Sequence, residues 1–82
     1  MLLSTTFDRR LGEHMRKCRI SLGLSQDQVV ARASFAGLDI CQEVYSRIEL
    51  GTRSARAHEL AVFAVVLNID LSALISLQGC SF

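Results

Sequence analysis

In the stretch FAGLDICQEVYSRIELG, residues 35–51, the side chains of Gln42, Glu43, Ser46 and Arg47 stand between a few apolar positions. Such side chains make good hydrogen bonds and poor core, so a short helix that presents them in a row keeps them for a partner outside the fold. The chemistry they fit is the edge of a base pair. An α-helix enters the major groove of B-DNA with its exposed N-terminal turns nearest the bases, where glutamine pairs with adenine, arginine with guanine, and glutamate accepts from the cytosine amino group. Glu43 also has a plainer reading as a solvated helix residue. Arg53 and Arg56, just beyond this helix, are the natural phosphate clamps, and Thr52 is a weaker donor.

Other chemistries lack their residues. Several serines are present, but no base and orienting acid are spaced to activate one, and no glycine-rich phosphate loop occurs. His14 and Cys18 stand at i and i+4, yet two ligands do not complete a metal site, and His58 has no evident geometry with them. No enzymatic activity, cofactor or metal is expected.

The elements that must position the polar row are all helical. Leu11, Met15, Cys18 and Leu22 recur at helix spacing, and Gly23 stands where a C-terminal cap belongs, so a first helix spans about residues 7–22. Ser25 is an N-cap before QDQVVARA, with Asp27 in the first turn, and starts a second helix ending near 33 or 34. In the link FAGLDI, Gly37 permits a turn, and Phe35, Leu38 and Ile40 are expected to tuck inward. The third helix covers 42–50, with Cys41 at the cap position and Gly51 at its end. Val44, Tyr45 and Ile48 face inward, the Tyr45 hydroxyl lying at the rim. A fourth helix spans 57–67, and Asn68 with Asp70 marks a break before a fifth, LSALISL. The fourth, LAVFAVVL at its centre, is apolar nearly all round, which suits burial between the third and fifth helices or a partner subunit over Val62, Val65 or Val66.

Composition agrees with one small helical domain. A chain of 82 residues holds one core, half of its residues are apolar, and it contains no proline. The divisions expected are an N-terminal extension, 1–6, a folded domain, 7–77, and a tail, 78–82, in which Leu77 and Phe82 could dock against a partner. A net charge of +1 argues for no partner by itself, but its distribution is uneven. Arg9, Arg10, Arg16, Lys17 and Arg19 crowd the first helix, and Arg47, Arg53 and Arg56 surround the third. Three cysteines without paired spacing suggest free thiols in a reducing compartment. The opening MLLSTTF is too short for a signal peptide, and the late apolar run is too short to span a bilayer, so a cytoplasmic protein acting at the nucleoid is expected.

The ordered series RISLGLSQDQVVARA, VYSRIELGTR and HELAVFAVVLNIDLSALI resembles the lambda-repressor-like, Cro/C1-type (XRE) family of helix-turn-helix DNA-binding domains over residues 11–76. The matching positions are Arg19, Gly23 to Gln26, Ser46 to Glu49 with Gly51, Glu59 and Leu60, then Leu67, Ile69 and Leu74. The chain departs from the usual family pattern in its link between helices 2 and 3, where SFAGLD replaces a tight turn, and there it resembles a subset of the family with a lengthened link ending in Ala-Gly-Leu-Asp-Ile. It also has Cys41 where serine or threonine is usual, and Leu50 and Thr52 where the family often has asparagine and lysine. The resemblance implies a compact five-helix domain, Gln26 beside a backbone phosphate, and Arg19 paired internally with Glu49. It implies a homodimeric transcriptional regulator, in the main a repressor, whose recognition helices about 34 Å apart read a roughly palindromic site in double-stranded DNA. Alternatives are an antitoxin with a cognate toxin, a controller of a restriction-modification system, or a helix-turn-helix scaffold used for protein interaction without DNA.

Overall fold

A computed structural model describes residues 6–70 of the chain. Four α-helices follow one another: α1 (Thr6–Ser21), α2 (Gln26–Phe35), α3 (Gln42–Leu50) and α4 (Ala57–Val66). Regular structure among the described residues is entirely helical, as expected. The fifth helix expected from LSALISL lies outside the described residues, and so does Leu77. None of the described helices is long and apolar enough to cross a membrane.

Each helix starts and stops for a local reason. The Ser25 hydroxyl accepts from the Gln28 amide at 3.1 Å, and Gln28 Oε1 accepts from the Ser25 amide at 2.8 Å, a reciprocal capping box that satisfies two donors at the start of α2. α1 stops at Gly23, where the amides of Gly23 and Leu24 turn back to the carbonyls of Ile20 and Arg19 at 3.0 and 3.1 Å. The same paired closure ends α2, α3 and α4, with Gly37, Gly51 and Asn68 in the left-handed region. In three of the four closures the next residue, Leu24, Leu38 or Ile69, is thereby swung into the core. This is why Leu24 is buried in place of Leu22, which continues the stripe of α1 in sequence yet is 47% exposed.

The core is built around Tyr45 and Phe63, whose rings meet edge to face at 5.4 Å between centroids. Leu11 and Met15 of α1, Val29 and Ala33 of α2, and Ile48 of α3 close around them. α1 packs most closely on α3, and Gly12 makes that approach possible. A Cβ added there would run into the carbonyl oxygens of Ile48 and Glu49. Gly51 is constrained twice, by a φ of +79° and by the backbone of Arg9, 2.9 Å from where a Cβ would sit.

Two expectations require correction. Leu38 and Ile40 of the link are buried, but Phe35 is 94% exposed. It is the last residue of α2, two positions past the buried Ala33, so the helical turn carries it to the opposite face. Tyr45 is wholly buried, hydroxyl included, and Oη has no hydrogen-bond partner among the described residues. Burial is the main force pushing its phenol far above the usual range, and the adjoining Glu49 carboxylate acts in the same direction.

Candidate nucleic-acid interface

The site is assembled from the inside outward. Arg19, at the end of α1, forms a two-pronged pair with Glu49, Nε to Oε2 at 2.7 Å and an outer nitrogen to Oε1 at 3.1 Å, and donates a third bond to the Leu24 carbonyl at 3.0 Å. The two side chains are 13% and 3% exposed, which makes this an interior ion pair with its donors and acceptors matched. Burial alone would raise the Glu49 carboxyl, but the hydrogen bonds from Arg19 and Gln26 and the guanidinium charge outweigh it and hold the group below its ordinary range. The bond to Glu49 likewise keeps Arg19 firmly protonated against the effect of burial.

Glu49 also orients what lies outside it. Gln26 Nε2 donates to Glu49 Oε1 at 3.0 Å. A carboxylate can only accept, so this contact sets which end of the Gln26 amide is nitrogen and turns its oxygen toward the start of α3. There the Gln26 oxygen accepts from Gln42 Nε2. A relay of four side chains therefore runs Arg19, Glu49, Gln26, Gln42, from the core to the first exposed turn of α3. Its last member keeps an oxygen and a second N–H unspent by these bonds, the acceptor and donor pair that meets the adenine N6 and N7 edge.

Glu43, Ser46 and Arg47 share that side of α3. Glu43 and Arg47 are exposed, Ser46 is half-buried, and one guanidinium nitrogen of Arg47 stands 3.8 Å from the Glu43 carboxylate. At 58% and 74% exposure this pair is a loose surface contact that leaves both groups available to a partner. Cys41 is exposed at the N-cap of α3, but its side chain makes no capping bond.

The phosphate-binding residues expected from the sequence are divided by the structure. Thr52 closes α3, its hydroxyl donating to the Arg47 carbonyl at 3.2 Å. Arg56 is exposed and has no ion-pair partner among the described residues. Arg53 is instead turned inward, donating to both Glu59 oxygens at 3.0 and 3.2 Å, and Glu59 is 7% exposed. Burial raises the Glu59 carboxyl, and the bonds from Arg53 and from the Arg56 amide at 2.8 Å more than reverse this. Glu59 thus caps α4 and neutralises Arg53 together. The sequence carries the signal for its first role, a glutamate three positions after the N-cap, but none for the second.

On α4, the Val62, Val65 and Val66 group is partly open. Val65 is 77% exposed and the other two are half-buried. His14 Nε2 and Cys18 Sγ are 3.7 Å apart, and no group of three or more metal-binding side chains occurs among the described residues.

Comparison with protein-family models, with curated proteins and with solved structures gives no match.

Proposed function

We propose that this chain is a sequence-specific double-stranded DNA-binding transcriptional regulator of the lambda-repressor-like, Cro/C1-type kind, a homodimeric repressor with α3 in the major groove of a roughly palindromic operator. The observation that carries the proposal is the relay from Arg19 through Glu49 and Gln26 to Gln42. A protein has little use for fixing the amide orientation of an exposed glutamine unless that glutamine reads something, and preorganised donors and acceptors are what discriminating recognition needs. The neighbouring Glu43, Ser46 and Arg47 extend the same reading face. In this account the fifth helix completes the domain, and Val62, Val65 and Val66 with Leu77 form the subunit contact.

The second reading, a scaffold for protein interaction, is favoured by Phe35 and Leu50, apolar side chains 94% and 70% exposed that precede and follow the polar row in sequence. An antitoxin or a restriction-system controller would share the DNA-reading face and differ only in its partner. Titration of a mixed-sequence duplex over a range of salt concentrations separates DNA binding from the scaffold. Binding to phosphate falls linearly in log K against log salt, about 0.9 in slope per phosphate neutralised. A steep fall supports DNA binding, whereas no affinity at low salt supports the scaffold.

A further inference from the structure

The distribution of paired and unpaired cations points to a phosphate contact supplied by α1. Arg53, the cation of the segment between α3 and α4, is held by both oxygens of a buried glutamate. In the binding mode proposed above that segment lies beside the duplex, since it continues directly from α3. The first turn of α1 brings another cation beside the C-terminal end of α3. The backbone of Arg9 abuts Gly51 so closely that a Cβ on the glycine would lie 2.9 Å from Arg9 Cα and 3.0 Å from its Cγ. Its neighbour Asp8 accepts from the Ser54 hydroxyl at 2.7 Å. The first turns of α1 are thus fastened to residues 51–54 at two points, one on each side of Thr52 and Arg53.

Arg9 is exposed and has no ion-pair partner among the described residues, in contrast to Arg19, Arg47 and Arg53. We infer that Arg9 is a phosphate-contacting residue, which with Arg56 takes the place left by the internally paired Arg53. The inference rests on the DNA-binding reading above and adds α1 to the interface. A plainer role for Arg9 is to offset the partial negative charge at the C-terminal end of α3, which would affect stability and leave DNA binding unchanged. The two roles differ in what they do to salt dependence.

The test is the affinity of the whole chain for a short mixed-sequence duplex at several salt concentrations, for wild type, Arg9→Gln, Arg9→Glu and Arg9→Lys. Glutamine keeps the methylenes that lie against Gly51, so thermal melting of Arg9→Gln is expected to match wild type. Its slope of log K against log salt should shrink by about 0.9, one phosphate's share. Arg9→Glu should bind more weakly still, and Arg9→Lys should keep the wild-type slope. If wild type binds with a steep slope and both Arg9→Gln and Arg9→Glu retain it, the inference is overturned and the DNA-binding reading stands. If wild type shows no salt-dependent binding, that reading fails and takes the inference with it.

Discussion

Arg19 and Glu49 bear the largest single-residue consequence in this fold. Removing one partner strands the other charge, so Arg19→Ala is expected to cost on the order of 3 kcal/mol or more. For a domain of this size that is a fall in melting temperature of roughly 12 °C or more; an unchanged melting point would refute the pairing as a stabilising contact. The same carboxylate gives the fold an acid limit, shared with Glu59. Both carboxyls titrate below their ordinary range when folded, so the unfolded chain binds the more protons and stability rises with pH through that window. Their contribution is complete above about pH 4.3, the free glutamate value, and is lost as pH falls through the lower folded values. Urea midpoints measured from pH 7 down to pH 3 should hold level and then drop, and Glu59→Gln should drop less over the acid range. The Arg19 and Glu49 pair was legible in the sequence through a family resemblance alone, since the two residues lie 30 positions apart. The Gln26 to Gln42 contact was not legible, because the angle between α2 and α3 depends on a lengthened link that no local pattern describes.

At the scale of elements, α1 and α3 act as one unit, joined at Gly12, at Gly51 and through the Arg19 bridge. Gly12→Ala would push α1 off the α3 backbone and should cost about 1–3 kcal/mol by overpacking, read as a lower urea midpoint with an unchanged m-value. Arg53→Ala leaves Glu59 buried without its cation and is expected to lower stability by about 1–3 kcal/mol. Its effect on the salt slope of DNA binding should be small, the reverse of the pattern expected for Arg9→Gln. The bounds of α3 were readable to the residue, since an exposed polar row over an inward Tyr45 and Ile48 ends on a glycine, a pattern with one helical solution. The fate of Phe35 was not readable. Extending α2 by one or two residues reverses the face on which it falls, and helix ends are decided by closing hydrogen bonds that composition does not reveal. The role of Gly12 is hidden in the sequence for a related reason: a glycine inside a helical stripe looks like a weak point until the helix crossing it is known.

For the whole molecule, the proposed function gives two helices different partners, DNA at α3 and a second copy of the chain at α4. A recognition helix this short has too few base contacts for a specific site on its own, so doubling the reading face is part of the proposed function. Val65→Glu places a charge on an already exposed position and is expected to convert a dimer to a monomer in sedimentation while helix content stays at the wild-type level, with melting lowered only by the lost association. A wild-type chain that sediments as a monomer at tens of micromolar would contradict the proposed subunit contact. Whether α3 reads base sequence is decided by selecting bound sequences from a random duplex library at low salt, with wild type and Arg47→Ala in parallel. Wild type is expected to enrich a two-fold symmetric motif, and Arg47→Ala to lose it. Enrichment of nothing above background, or of the same motif by both proteins, would contradict base reading by α3.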